Sequence, residues 1–194
     1  MKGTIRMKKK YKQGDYEYYN HKRNMEILKT IIYFAVSISL LIAGYAATKT
    51  KANLLTIVAV LGLLPASKSC VSMIMYVRYH GCSTENHELL KDTLSNFLNA
   101  YGLVFTSYKK TYEVAGCIVK NGYIYGYLTN HQDMHEDLES HIDGIVKRNG
   151  YKATIAMYTD PQEFINRCNQ IKDKEDEDRE NDEKLMELLH QISL

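Results

Sequence analysis

Two long apolar segments separated by only six residues constrain this chain more than any other feature of its sequence. The first, residues 30–47, has no formal charge, and its 18 residues are close to what a helix needs to cross a hydrocarbon core of about 30 Å. The second, residues 54–77, is longer and includes Pro65 and Lys68. Both lack the polar face of a helix on the surface of a soluble protein. We therefore expect a transmembrane helical hairpin spanning residues 25–79.

A secretory signal peptide is the main alternative for the first segment, because it too follows basic residues. Here the apolar residues begin late, form a longer segment than a signal peptide needs, and lead almost directly into a second apolar segment. We expect both segments to be retained as anchors.

The cations beside the two segments predict the orientation of the hairpin. Residues 1–24 contain eight lysines and arginines, whereas the connection between the segments contains Lys49 and Lys51. Because the cytoplasmic flanks of membrane helices are rich in Lys and Arg, we expect a multi-pass protein of the plasma membrane with both termini in the cytoplasm.

Residues 1–24 form a basic arm. Its expected partner is the lipid bilayer, where each cation near an anionic surface contributes about 1 kcal/mol. Nucleic acid is another polyanion, but topology and lipid attraction already account for the charge of the arm. The cations expected at the membrane surface are Lys8, Lys9, Lys10, Lys12, Lys22 and Arg23.

Lys68 is the residue of the hairpin that most needs a partner. It precedes Val77 by nine residues, roughly 14 Å in a continuous helix, which brings it near the bilayer centre. One hypothesis is that the helices enclose an intramembrane polar layer with a functional role. The alternative is that the span ends near Ala66 and the ammonium group reaches the head groups. The polar layer would contain Ser37, Ser39, Ser67, Lys68 and Ser69.

The residues after the hairpin have the pattern of a small α+β (mixed α/β) domain, which we expect over residues 80–171. Apolar residues from Leu89 to Tyr101 recur at helical spacing, and Gly102 follows them. Strands are expected at 103–108, at 112–119, from Tyr123 to Leu128 and at 152–158.

The signals between these strands complete the domain. Asn121-Gly122 is typical of a type I′ hairpin turn between the second and third strands. Apolar residues from Met134 to Val146 recur at helical spacing and predict a helix that ends at Asn149-Gly150. Asp160-Pro161 marks the start of another helix. The predicted element order is αβββαβα, after the transmembrane α-helical hairpin.

Residues 172–194 form the last predicted segment. Lys172 to Lys184 contains eight carboxylates and four cations, which predicts a charged spacer. An amphipathic helix follows the spacer. The narrow apolar stripe of this helix could dock on the domain, pair with a second copy or lie on a partner protein. The stripe, taken as a partner helix, consists of Leu185, Leu188, Leu189 and Ile192.

Few residues suggest a metal or cofactor, and we expect no cofactor. His131 and His135 are four residues apart, a spacing that can place two ligands on one face of a helix. The alternative is a polar helix N-terminus that His131 precedes. The four cysteines lack metal-site spacing, and in the cytoplasm we expect them to be reduced.

Two resemblances follow from these patterns. The element order from Thr84 to Tyr158 resembles the core of the restriction-endonuclease-like superfamily, which implies a metal-dependent nuclease site with Glu113 as one carboxylate. The third strand, however, has neither the carboxylate nor the lysine of that site, so an active nuclease is not expected. Residues 61–69, with the basic arm and first helix before them, resemble uncharacterised small bacterial membrane proteins that have a two-helix anchor and a cytoplasmic α/β domain.

Three functions are compatible with the sequence. A membrane-anchored binding or scaffold protein, acting through a protein partner or as a homo-oligomer, is the first. A membrane-tethered enzyme with a degenerate nuclease-like core is the second. The third is transport or ion passage through an oligomer that uses Lys68.

Overall fold

The computed structural model describes residues 13–49 and 54–194, which form two compact units. One unit is the helical pair, residues 20–49 and 54–79. The other, called the domain from here on, joins residues 13–19 with His80–Leu194. The division predicted from the sequence therefore changes: the described residues 13–19 and 172–194 belong to the same unit as residues 80–171.

The helical pair consists of α1 (Tyr18–Thr48) and α2 (Leu54–Arg78), each long and apolar enough to cross a membrane. α1 begins 12 residues before the predicted span, because residues 18–29 contain no glycine or proline to interrupt a helix. α2 continues through Pro65, which removes one hydrogen bond of the helix.

Small side chains line the contact between α1 and α2. A face of α2 has Ala, Gly, Ala and Ser at intervals of three or four residues, so the two backbones can approach closely. The hydroxyls of Thr30 and Ser69 lie 2.9 Å apart across the contact. A Cβ added at Gly62 would lie 2.9 Å from Ser37 Oγ. The α2 face is formed by Ala59, Gly62, Ala66 and Ser69.

The domain has the predicted element order αβββαβα, followed by one further helix. Ser83 caps the first helix and Asp160 caps a later one, each by accepting a backbone N–H. The elements are α3 (Thr84–Leu94), β1 (Leu98–Thr106), β2 (Thr111–Lys120), β3 (Tyr123–Leu128), α4 (His135–Arg148), β4 (Thr154–Tyr158), α5 (Pro161–Ile171) and α6 (Arg179–Ile192), with a 3-10 turn at Gln132–Met134.

The four strands form one mixed sheet in the order β1-β2-β3-β4. β1 and β3 are antiparallel to β2, and β4 is parallel to β3 after a crossover through α4. The predicted turn between β2 and β3 is confirmed: Asn121 and Gly122 have φ values of 51° and 74°, as a type I′ turn requires.

Helices cover both faces of the sheet, so the domain has three layers. On one face, α4 and α6 contribute Leu138, Ile142 and Leu189 to a core with β-strand residues such as Phe105. On the other face, α3 and α5 contribute Leu90, Leu94, Phe164 and Cys168. Together with the helical pair, these layers agree with the α+β class expected from the sequence.

The end of α3 differs from the prediction, which continued the helix through Tyr101. The helix ends at Leu94, and Leu98–Thr106 is β1, in which Leu98 pairs with Val119 and Tyr101 with Gly116. Apolar residues at 94, 97, 98 and 101 fit a helix as well as a strand that is covered on both faces. Pairing with Gly116 and Val119 of β2, the next strand along the chain, decides between the two.

Candidate functional site

The predicted intramembrane polar residues do not form one layer between the helices. Ser69 is buried against Thr30, but Ser39, Ser67 and Lys68 are exposed on the outside of the helical pair. The Ser39 hydroxyl donates to the carbonyl of Val36 in its own helix. Lys68 is therefore not enclosed between α1 and α2 in this structure, and a functional role for the intramembrane polar residues stays a prediction.

Helix geometry explains why Lys68 does not lie between α1 and α2. The small residues that face α1 include Ala66 and Ser69, which lie three residues apart on one side of α2. Lys68 and Ser67 fall between them in sequence, and each step of one residue rotates a side chain by about 100° around a helix. They therefore point away from α1, and the hypothesis that Lys68 reaches toward the head groups stays a prediction.

The histidine pair does not form a ligand pair on one helix face. His131 precedes α4 with a left-handed φ of 48°, and its ring lies edge-on to Tyr112. The Nδ1 atom of His135 lies 3.1 Å from the carbonyl oxygen of Gln132. Within residues 13–49 and 54–194, no group of three or more His, Cys, Asp or Glu side chains is placed to hold a metal ion.

Glu113, the carboxylate of the nuclease resemblance, lies in β2. Its carboxylate accepts the backbone N–H of His80, with Oε2 at 3.3 Å, and its carbonyl accepts the backbone N–H of Thr129 at 2.9 Å. These contacts connect β2 to the first residues after α2 and to the end of β3. Glu113 therefore has a structural role.

The C-terminal stripe belongs to the core of the domain. Leu185 and Leu189 are fully buried, Leu188 is 6 % exposed, and Ile192 packs against the same cluster, on the sheet face that α6 shares with α4. Of the three alternatives, the structure has the first, docking on the domain. The stripe is therefore not available to a partner protein, because the sheet already covers it.

The segment predicted to be a spacer is instead bonded to the turn between β2 and β3. Asp182, only 3 % exposed, accepts the backbone N–H groups of Asn121 and Gly122 at 2.6 and 2.8 Å. The Asn121 side chain also donates to the carbonyl of Glu175 and accepts the N–H of Glu177. We call residues 172–182 the acidic clasp, because they hold this turn.

A basic pocket lies beside the clasp, where β3 begins and α5 ends. It is a cavity of about 110 Å³ lined by Lys120, Asn121, Tyr123, Tyr125, Arg167, Ile171 and Lys174. Three of these side chains are cations and none is a carboxylate. The pocket is the strongest candidate for a binding site in the domain, because unbalanced charge of one sign attracts a ligand of the other.

Tyrosines form one wall of the basic pocket. The rings of Tyr123 and Tyr125 are stacked at 5.8 Å with an interplanar angle of 4°. Arg167 donates from Nη2 to the Tyr125 hydroxyl at 3.1 Å, and this hydrogen bond raises the pKa of Arg167. The alternation of tyrosines along β3 thus places aromatic rings and a guanidinium group together.

Residues 13–19, which we call the N-terminal strap, lie on the domain. Gln13 donates to the carbonyl of His190 at 2.7 Å, and the carbonyl of Gly14 accepts the N–H of Tyr101 at 2.8 Å. The strap thereby contacts both α6 and β1, which the sequence separates from it by more than 80 residues.

Aromatic contacts complete the strap. The Tyr16 ring stacks on His87 of α3 at 4.0 Å, the His87 ring lies edge-on to Tyr101 at 4.8 Å, and the Tyr16 hydroxyl is 2.8 Å from that of Thr84. Burial lowers the pKa of His87, as does the nearby Lys91, against the opposing effect of Glu88. Burial also lowers the pKa of His190 beneath the strap, against Asp15 and Glu187.

The strap is expected to weaken in acid. Because the folded-state pKa of His87 lies below its usual value of 6.5, the unfolded state binds a proton more readily. The stability that depends on the neutral ring is present above pH 6.5 and is lost as the pH falls below it. His87→Phe, which keeps the stacking, should therefore lose less thermal stability than the parent chain between pH 7.5 and 5.5. Thermal unfolding at the two pH values measures this, with His141→Phe on α4 as the control. An identical pH response in all three chains contradicts it.

Three cysteines of the domain are buried: Cys82, Cys117 and Cys168. Burial raises the pKa of each thiol to about 12. Since the thiolate is the nucleophile, these side chains are inert at neutral pH while the domain is folded.

The basic arm is described only in part. Lys8, Lys9, Lys10 and Lys12 lie outside the described residues, and Lys22 and Arg23 are half-buried in the first turns of α1. The proposed contact of these six cations with lipid stays a prediction.

Sequence reasoning missed Asp182 and Arg167, although helical spacing marks both. Asp182 is three and seven residues before Leu185 and Leu189, so it shares their buried face. Arg167 is three residues after Phe164 and four before Ile171, again on the buried face. A charged residue within an apolar stripe is the signal that identifies both positions.

No protein family model, curated protein or solved structure matches this chain.

Proposed function

We propose that this protein is a membrane-anchored binding module: α1 and α2 form a transmembrane hairpin, and the domain presents the basic pocket in the cytoplasm. The observation that carries the proposal is that the domain contains segments from both sides of the two apolar helices. The N-terminal strap precedes the two apolar helices, and α3 to α6 follow them, yet both belong to one folded unit. Two crossings of a bilayer return the chain to the same side, as this arrangement requires.

The exposed side chains support the anchor. Among the described residues, all but three of the large hydrophobic side chains that are exposed belong to α1 and α2. The three others are Leu89, Tyr108 and Tyr123. Exposed apolar surface of this extent is stable in lipid and prone to aggregation in water.

The domain supports the binding part of the proposal. Its apolar helix faces are used within its own core, so a protein partner or a second copy would have to use another surface. The basic pocket offers charged and aromatic groups that its own neighbours do not neutralise fully, which is typical of a ligand site.

Cysteine accessibility in the full chain tests the location of both ends of the hairpin. Lys49→Cys lies at the end of α1, and Tyr108→Cys lies in the turn between β1 and β2, where Tyr108 is fully exposed. The buried thiols of the domain contribute little background, because their pKa is about 12. A membrane-impermeant maleimide should label Lys49→Cys in intact cells and Tyr108→Cys only after permeabilisation.

Two results contradict the proposal. Labelling of both cysteines on the same side of the membrane excludes a transmembrane hairpin. Recovery of the intact chain in the aqueous fraction after alkaline extraction excludes a membrane anchor altogether.

A further inference from the structure

The basic pocket holds more positive charge than its surroundings balance. Lys120 is 8 % exposed, and its ammonium group donates to the carbonyl of Lys172 at 3.2 Å and pairs with Asp176 at 3.1 Å. Lys174 has no carboxylate within ion-pair distance among the described residues. Lys120 already has Asp176, and Asp182, bonded to the N–H of Asn121, is the other carboxylate nearby. The positive charges that an additional anion would balance are therefore those of Arg167 and Lys174.

Arg167 has hydrogen-bond donors to spare. Its guanidinium group carries five N–H donors, and the structure uses two of them, toward Gln170 at 3.3 Å and Tyr125 at 3.1 Å. Its Nε atom is buried without a partner among the described residues. Free donors in a planar fork are suited to the oxygens of a phosphate or carboxylate group.

The size and charge of the basic pocket select the anion. Ligand pockets for larger molecules have volumes of about 300–1,000 Å³, so a cavity of about 110 Å³ holds a single small group. The three cations outnumber the two nearby carboxylates, Asp176 and Asp182, so the basic pocket keeps a net positive charge. A phosphomonoester, with its charge of roughly −1.5 to −2 at pH 7, is attracted more strongly than a carboxylate.

We propose that the basic pocket binds the phosphoryl group of a phosphomonoester, with Arg167 as the fork and Lys120 and Lys174 as the balancing charges. The body of the ligand extends past Tyr123, which is 42 % exposed and stacked on Tyr125. The inference rests on the proposed function only in treating the domain as a binding module.

A neighbouring cavity of about 270 Å³ in the same domain differs from the basic pocket in the charges that line it. It shares Lys120 and adds Arg179, but it is also lined by Asp176 and Asp182. Its carboxylates repel an anion, so the smaller basic pocket is the site.

Phosphorus NMR of the full chain in detergent micelles tests the proposal, with phenyl phosphate as the probe at pH 7.5 and fixed ionic strength. Saturable broadening of the probe resonance is expected, reversed by inorganic phosphate. Arg167→Gln and Lys174→Gln should each weaken binding about tenfold, the equivalent of 1.4 kcal/mol. Arg167→Lys keeps the positive charge but lacks the planar guanidinium group, so its affinity should lie between those of the parent chain and Arg167→Gln. Lys147→Gln, which removes an exposed cation of α4 that pairs with Asp143, is the matched control and should bind as the parent does.

Two outcomes overturn the proposal: no saturable broadening, or equal weakening by Lys147→Gln and the two pocket variants. Lys174 is exposed, so Lys174→Gln remains informative even if Arg167→Gln fails to fold. A short-chain phosphatidate in the same micelles shows whether the phosphoryl group belongs to a lipid or to a soluble molecule. If it binds more tightly than phenyl phosphate, the ligand is a lipid head group; if it binds more weakly, the ligand is soluble. The measurement needs no bilayer, so its failure and a wrong membrane topology are separate results.

Discussion

Leu189→Ala is expected to lower the free energy of unfolding of the domain by about 2–5 kcal/mol, the usual cost of truncating a buried leucine. Leu189 is fully buried in the core formed by α4, α6 and the sheet. For a domain of this size the loss corresponds to a fall in melting temperature of roughly 5–20 °C.

In a parent chain that carries Cys70→Ser, which removes the half-buried thiol of α2, the buried thiols provide a readout specific to the domain. Cys117 and Cys168 lie on the sheet and α5, and they become reactive toward a maleimide dye only when the domain opens. The temperature at which they react should fall in Leu189→Ala and stay unchanged in Glu187→Ala, an exposed position on the same helix. An unchanged temperature in Leu189→Ala would mean that α6 is dispensable for folding, as a helix reserved for a partner would be.

Asp182→Ala is expected to open the acidic clasp and to destabilise the domain by about 3 kcal/mol or more. The carboxylate of Asp182 accepts two backbone N–H groups at the turn, and each hydrogen bond to a charged group contributes about 1.5–3 kcal/mol. Without it, the N–H groups of Asn121 and Gly122 lose their acceptor in a half-buried position.

Limited trypsin digestion measures the opening of the clasp, since Lys172 and Lys174 lie within it. Cleavage there should accelerate in Asp182→Ala, less so in Asp182→Asn, which keeps one acceptor oxygen. Glu183→Ala alters the neighbouring exposed carboxylate and should digest like the parent chain. Equal digestion of Asp182→Ala and Glu183→Ala would show that the clasp is held by other contacts.

The local signals of the sequence were reliable where one stretch of chain decides its own structure. The Asn121-Gly122 turn and the helix start at Asp160-Pro161 depend on backbone geometry within a few residues, and both are present. Less of the candidate site could be predicted from the sequence. Arg167, Lys120 and Lys174 come from three separate parts of the chain that only folding brings together.

The sequence by itself determined the two apolar helices and the order of helices and strands in the domain, because apolar periodicity and turn chemistry act over short distances. Only the tertiary structure decided that residues 98–101 join β1, that α6 and the acidic clasp are parts of the domain, and that the N-terminal strap rests on α3, β1 and α6. In each case the deciding partner lies outside the local stretch of sequence, in the next strand for β1 and much farther away for the clasp and the strap. A pattern of apolar or charged residues shows that a surface must be covered, but not which distant element covers it.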